Sequence, residues 1–291
     1  MLCTLLAVRF YTLVERKVLG LSHLRLGPDV VSMGGLLQPF SDGLKLFSKE
    51  LTWVYRQSFV FYWISPVLIL GVSVAYLRLW SDLYFRISWD LSILIFLIYL
   101  GWRVYPIIWI GWSPSSPWRL LGAVRSVAQA VSFEVRLAFI LFRYILLFKA
   151  PSFASSALLR RAGSLFIVSL WVLWLFCILV ELNRTPFDLG EAERELISGL
   201  NIEYSGGLFG VVFIREYINI ITLRVIRVTL GSGLCLTSAK GLLFTGFILY
   251  FLIWVRVTVP RVRYDKLIHL CWFRLLPIIL IVLSAIVLRL L

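Results

Sequence analysis

Residues 181–199, ELNRTPFDLGEAERELISG, hold five carboxylates within fifteen residues: Glu181, Asp188, Glu191, Glu193 and Glu195. Glu203 follows shortly, and the whole chain has only 15 acidic residues. Two more carboxylates, Glu134 and Glu216, sit inside apolar runs, and Glu181 closes a third. A carboxylate taken out of water loses hydration and repels its neighbours, and both effects favour the protonated form. Groups tuned in that way exchange protons near neutral pH, and ionisable residues at membrane depth mark proton or ion paths. The chemistry this pattern points to is proton relay. The plain alternative is charge pairing, of Glu134 with Arg125, Arg136 or Arg143 and of Glu216 with Arg215 or Arg224.

Within the acidic loop, Glu191 and Glu195 are four residues apart and share a helix face, with Glu193 turned aside. Pro186 can open a turn, and Asp188 is placed to cap a following helix. Negative residues are tolerated at that positive end. A calcium loop would need alternating Asp or Asn and a central glycine, which this spacing lacks. A solvated acidic loop is the bland reading. Against it, PFDL and NIEYSGGLFG intersperse apolar and small residues, as a buried, shaped loop would.

The elements that position these groups follow from composition. The chain is 60% hydrophobic and 15% charged, with mean hydropathy +0.92. A soluble domain is about half apolar and about a quarter charged, so lipid must solvate much of this surface. The net charge of +14 is expected to come from basic residues that cap helices and stay in loops on the untranslocated side. No basic, aromatic-studded nucleic-acid module is visible. Cys3, Cys177, Cys235 and Cys271 are far apart, whereas iron–sulfur and zinc sites need clustered thiolates. His23 and His269 are too few and too separated for a haem pair. No metal and no covalently bound cofactor is expected on this chain. No presequence or cleavage pattern precedes the first apolar segment, which is therefore expected to be retained as a helix.

A spanning helix needs about 20 mostly apolar residues. Such segments fall at 2–14 (short, or completed past Val18), 59–80, 91–111 with Arg103 and Pro106 inside it, 121–148, 164–182, 207–229, 239–258 and 271–290. The expectation is an all-α, polytopic membrane protein of about eight transmembrane helices, 1–291 forming one transmembrane domain. An amphipathic helix over about 34–52 lies at the membrane surface or against a partner, with Leu36, Leu37, Phe40, Leu44 and Phe47 at helical spacing. The acidic loop spans about 183–206. Basic residues concentrate after the odd-numbered spans, among them Arg16, Lys17, Arg25, Arg119, Arg184, Arg261 and Arg263. Those loops are expected to face the cytoplasm or mitochondrial matrix.

Four blocks carry a resemblance across nearly the whole chain, in order. They are TLVERKVLGLSHLRLGPDVV with GGLLQPFSDGLKLFSKE, LLGAVRSVAQAVSFEV, ELNRTPFDLGEAERELISGLNIEYSGGLFGVVFIREYINI, and VRVTVPRVRYDKLIHLCWFRLLP. Together they closely resemble the NADH-ubiquinone oxidoreductase chain 1 family, membrane subunits of respiratory complex I that help to form the quinone chamber. The resemblance implies eight transmembrane helices plus an amphipathic helix after the first. It implies that Arg16, Arg25, Asp42, Arg184, Phe187, Asp188 and Arg263 line or brace a ubiquinone chamber. Glu191, Glu193, Glu195 and Glu203 would form the loop that senses quinone reduction. Glu134, Glu181 and Glu216 would begin a carboxylate path toward the proton-pumping arm.

Ubiquinone is then the substrate, and the iron–sulfur cluster and flavin reside on partner subunits. The implied partners are peripheral quinone-module subunits and neighbouring small membrane subunits of complex I, together with the lipid bilayer, with no nucleic acid. The implied location is the mitochondrial inner membrane, with a bacterial plasma membrane as the alternative. The chain departs from the family pattern at Leu26 and Asp29, where RLGPD replaces the usual RKGPN. Arg194 between Glu193 and Glu195, and Arg215 before Glu216, stand where small residues are usual, and the family carries more residues before its ERK. Two other readings compete: an ion-coupled transporter, which would show internal repeats that are not seen here, and the anchor subunit of a related membrane-bound hydrogenase.

Overall fold

The structure, a computed structural model, describes residues 2–50, 58–84, 91–113, 116–148, 152–153, 165–181, 183–188, 204–232 and 239–290. Among them every regular element is helical. Helix α1 (Leu2–Ser22) is followed by a single turn at Met33–Gly35 and by α2 (Gln38–Ser48). Then come α3 (Phe59–Tyr84), α4 (Ser92–Trp102), α5 (Val104–Trp112) and α6 (Pro117–Phe148). After these stand α7 (Leu165–Glu181), α8 (Gly206–Ser232), α9 (Ala239–Thr258), α10 (Tyr264–His269), a wide π turn (Leu270–Leu275) and α11 (Leu276–Leu290).

Four stretches are long and apolar enough to cross a bilayer: Phe59–Leu77, Ser92–Trp112, Ala239–Thr258 and Tyr264–Leu288. Their outer faces expose Leu68, Ile98, Trp102, Phe247, Tyr250 and Leu288, which suits a surface solvated by lipid rather than water.

Local chemistry explains the breaks. The first helix runs past Val18 to Ser22 because Glu15 does not end it: the side chain turns inward and is ion-paired with Arg256 of α9. The amphipathic helix is narrower than the apolar spacing suggests. Gly34 and Gly35 take positive φ, and a side chain at Gly35 would collide with the Pro28 carbonyl, so that turn requires glycine. Pro39 then sits in the first turn of α2, where no N–H is needed. Arg103 alone separates α4 from α5. Its N–H bonds the carbonyls of Tyr99 and Leu100, both at 3.2 Å. Pro106 has no N–H to offer, so the Trp102 carbonyl lacks its helical donor. Pro277 does the same to Phe273, inside the π turn that precedes it.

Helices α6, α7, α8 and α11 surround a continuous apolar core that includes Phe133, Leu137, Ile140, Trp174, Ile178 and Ile226. A smaller cluster joins α3, α5 and the start of α8 through Tyr62, Ile69, Ile107, Ile110, Tyr204 and Leu208. Pro66 leaves the Tyr62 carbonyl without its helical donor. The Tyr204 hydroxyl reaches that carbonyl at 3.5 Å, and its ring stacks on Tyr62 at 4.8 Å. Helix α5 lies so close to α6 at Gly111 that an added Cβ would strike the Ala123 side chain, the small-residue contact typical of membrane helices.

The expectation that basic residues stay in loops is corrected. Arg103, Arg119, Arg136, Arg143, Arg215, Arg224 and Arg227 are all buried within the bundle. Arg119, counted as a loop residue by its place in the sequence, lies in the first turn of α6 with its guanidinium 4.3 Å above the Tyr204 ring. Arg224 sits 5.4 Å from the centre of Tyr11. Arg136 donates to the Ser132 carbonyl at 2.9 Å. For Arg103, Arg119, Arg136 and Arg224 a carboxylate, an aromatic face or a backbone oxygen offsets the burial.

Candidate functional site

Three faces meet to enclose a cavity of about 430 Å³. Helix α1 contributes Val8, Arg9, Thr12, Glu15, Arg16 and Leu19, spaced by three and four residues and therefore on one side. Helix α2 contributes Pro39, Asp42, Gly43, Leu46 and Phe47, and α8 contributes Gly207, Gly210, Phe213, Ile214 and Tyr217. Arg184 and Arg256 complete the wall. Gly207 and Gly210 keep the α8 face low where Phe47 and Leu46 of α2 approach it: a Cβ on either would already touch them, at 3.6 and 3.7 Å. The volume and the mixture of apolar wall with a few convergent polar groups are those of a small-molecule site.

The polar groups of the wall form a connected network. Glu15 is 5% exposed. One of its oxygens accepts from the Arg256 guanidinium, and the other accepts from the Tyr217 hydroxyl at 2.9 Å. Arg256 Nε also donates to Thr185 Oγ1 at 3.1 Å. Arg184 lies 4.8 Å above the Tyr217 ring and 5.7 Å from that of Phe213, and bonds Glu216 Oε2 at 3.3 Å. Arg16 pairs with Asp42 at 2.8 Å across the mouth between α1 and α2. A second void of about 20 Å³ adjoins Tyr11, Glu15, Leu179, Arg184, Thr185 and Arg256, with room for one water.

The segment 183–188 that carries Arg184 is pinned to the core. Phe187 N–H bonds the Arg184 carbonyl at 2.7 Å, which closes the turn at Pro186. Gln129 of α6 donates its amide to the carbonyls of Val180 and Phe187, at 2.8 and 3.0 Å. Val262 N–H bonds the Pro186 carbonyl at 3.0 Å, and Phe187 packs edge-on against Phe176.

The candidate residues read from the sequence divide accordingly. Arg16, Asp42 and Arg184 line the cavity. Phe187 is buried behind the Arg184 turn, and Asp188 pairs with Arg261 at 3.4 Å. Arg25 lines a separate recess of about 370 Å³ with Arg16 and the loop after α1. Arg263 is exposed and paired with Asp265 at 3.0 Å, away from the cavity wall. Glu191, Glu193, Glu195, Glu203 and Arg194 lie outside the described residues, as does any helix that Asp188 would cap.

The charge pairing weighed as the plain alternative for the buried carboxylates takes other partners. The cation on Glu216 is Arg184, not Arg215 or Arg224, because the turn at 183–188 folds back across α8. Glu134 makes no ion pair with Arg125, Arg136 or Arg143 among the described residues, and its Oε1 is buried without a hydrogen-bond partner. Glu181 is 4% exposed and paired with Arg103. Sequence reasoning missed Glu15, Tyr217, Arg256 and Arg103. The signal for Glu15 was present, as an acid within the first apolar segment. Tyr217 and Arg256 carried none, since only the packing of α8 and α9 on α1 brings them to it.

The NADH dehydrogenase family model matches residues 1–287. The NADH-ubiquinone oxidoreductase chain 1 of Anopheles gambiae is 42% identical over 282 residues, covering 95% of this chain and 89% of that protein. Those of Aedes aegypti and Notamacropus eugenii are each 40% identical, over 281 and 289 residues, with 95% of this chain covered and 89% and 90% of theirs. At this identity and coverage the chain belongs to the NADH-ubiquinone oxidoreductase chain 1 family, the membrane subunits of complex I.

Proposed function

We propose that the cavity between α1, α2 and α8 receives the ubiquinone head group, and that Glu216, Glu181 and Glu134 carry protons away from it. The observation that supports this reading is the continuity of charge from the cavity wall inward. Arg184 faces the cavity and binds Glu216, while the chain that bears Arg184 begins at Glu181, the last residue of α7. Reduction of a quinone places negative charge on its oxygens and takes up protons. Arg184 and Arg256 in a partly desolvated wall stabilise such charge. Glu15, held by Arg256 and Tyr217, orients both against the cavity. When charge develops in the cavity, Arg184 is drawn from Glu216 toward it, and Glu216 must then take up a proton or a new cation.

The apolar floor from Phe213, Ile214, Leu46 and Phe47 suits an isoprenoid-substituted ring. In this reading α1, α6, α7 and α8 cross the membrane beside the four apolar stretches described above, giving eight spans in the mitochondrial inner membrane. Partner subunits supply the electrons from an iron–sulfur cluster and flavin. Glu191, Glu193, Glu195 and Glu203 form the loop that responds to quinone reduction.

The test is Glu181→Gln in the assembled enzyme. Assembly should be retained while quinone reduction coupled to proton translocation slows. Full coupled activity in that variant sinks the relay, and isolation of the chain as a lone, transport-active oligomer would favour a transporter instead.

A further inference from the structure

Four arginines line the cavity, Arg9, Arg16, Arg184 and Arg256, and their charges are not met alike. Arg256 is held by Glu15, Arg16 by Asp42 and Arg184 by Glu216. Arg9, partly buried in α1, makes no ion pair among the described residues. Its Nη1 donates to the carbonyl of Pro39, in the first turn of α2, at 3.2 Å. The guanidinium lies against Gly43 one turn further along α2: a Cβ on that glycine would fall 2.5 Å from Nη1 and 2.9 Å from both Cζ and Nη2. Gly43 sits inside α2, so its missing side chain serves as a seat for Arg9 rather than as a turn.

A bond to one neutral carbonyl uses one of the five N–H groups of a guanidinium. A cation set into a partly desolvated wall against a single neutral acceptor is poorly compensated, so the rest of the fork calls for acceptors that the cavity's occupant brings. Arg9 stands apart from the other donors: it lies about 9 Å from Glu15 along the axis of α1. Thr12, between them on the same face, has its hydroxyl turned back to the Arg9 carbonyl at 2.6 Å. The wall therefore offers cationic donors at two places, Arg9 at one and the Arg184 and Arg256 group beside Glu15 at the other. A para-quinone carries its two carbonyl oxygens at opposite edges of the ring, and in ubiquinone each has a substituent beside it. We propose that Arg9 is a specificity-determining residue of this cavity, its fork donating to one quinone carbonyl oxygen and to the methoxy oxygen beside it, while Arg184 and Arg256 face the opposite carbonyl. Planar, two-point donation of this kind is what a guanidinium supplies and an ammonium does not. A ring with methyl groups in place of methoxy groups leaves part of the fork unmet, which is how a buried polar group rejects an analogue.

This assignment rests on the reading that the cavity receives the quinone head group, and the experiment separates the two. In membranes with saturating NADH, the apparent KM is measured for a pair of short-chain quinones that differ only in carrying methoxy or methyl groups at adjacent ring positions. Arg9→Leu should raise both KM values, and that of the dimethoxy quinone about tenfold more, the loss of one hydrogen bond from a charged donor. Arg9→Lys keeps the charge without the fork. It should hold the dimethyl KM near its original value and still lose most of the preference for methoxy groups, and it decides the matter if Arg9→Leu does not assemble. Gly43→Ala drives the guanidinium off its seat. It should lose the same preference, with no further loss when combined with Arg9→Leu. Equal changes for the two quinones in Arg9→Leu, or an unaltered preference in Arg9→Lys, overturn the assignment and leave Arg9 as a strut between α1 and α2. Gly210→Leu, which fills the cavity from α8, should raise both KM values alike; if neither moves, the head-group reading itself fails.

Discussion

Replacing Glu15 by glutamine tests whether the charged wall shapes the cavity. The substitution keeps size and removes the charge from a side chain that holds α1 to α8 and α9. The two Glu15 oxygens serve different donors, Tyr217 and Arg256. An amide offers one oxygen and one NH2, and an arginine cannot accept. The amide oxygen must therefore face Arg256, and the Tyr217 hydroxyl must reverse to accept from the NH2. Hydrogen bonds to charged groups contribute about 1.5–3 kcal/mol against about 0.5–1.5 for neutral ones, so the two weakened bonds cost about 2 kcal/mol together. If that energy preorganises the wall, it appears as weaker quinone binding by about 30-fold, at 1.4 kcal/mol for each factor of ten. The assay is the apparent KM for a short-chain ubiquinone in membranes with saturating NADH. KM should rise about 10- to 30-fold, within the scatter of such energies, and kcat should fall less. An unchanged KM, or a loss confined to kcat, refutes the argument that this network shapes the quinone site.

Two further substitutions probe the frame around the site. Gly111→Ala pushes a methyl group into Ala123 and should destabilise the α5–α6 contact by about 1–3 kcal/mol. Thermal inactivation of the assembled enzyme should accelerate, and Ala123→Gly should restore it; failure of that rescue counts against the close approach. Gln129→Leu orphans the Phe187 carbonyl, at about 1–3 kcal/mol for a buried group left unpaired, and leaves the Val180 carbonyl only the Asn183 N–H at 3.4 Å. The yield of assembled, heat-resistant enzyme should drop, whereas unchanged resistance would mean that water already serves those carbonyls.

The long uncharged runs made α3 and α9 legible to within a few residues, because twenty apolar residues admit few alternatives to a helix in lipid. The break in the third span was marked by Arg103 and Pro106, and the structure divides that span at Arg103. The start of α6 was set too late and that of the last helix too late as well. Arg119 looked like a loop charge, and Tyr264 to His269 looked like a polar connector. Both lie in helices because their charges find partners or solvent: Arg119 lies on Tyr204, and Asp265 meets Arg263. The pairings at the site were the least legible part. Reasoning from neighbours along the same helix offered Arg215, one residue away, and Arg224, eight away, for Glu216. The actual partner, Arg184, arrives from a turn thirty-two residues earlier in the chain.

The net charge of +14 takes on a different meaning once these pairings are known. A basic membrane protein is ordinarily basic at its surface, yet among the described residues seven arginines lie inside this bundle. A guanidinium buried without partners costs several kcal/mol. Four of the acidic residues serve as counter-ions to arginines, and one of those arginines, Arg103, belongs to the buried set. Glu15 serves Arg256, Glu181 serves Arg103, Glu216 serves Arg184 and Asp188 serves Arg261. Each of these pairs joins elements distant in sequence, so protonating one carboxylate frees a cation that must move or find another anion. Among the described residues Glu134 of α6 makes no ion pair, and its Oε1 is buried without a hydrogen-bond partner.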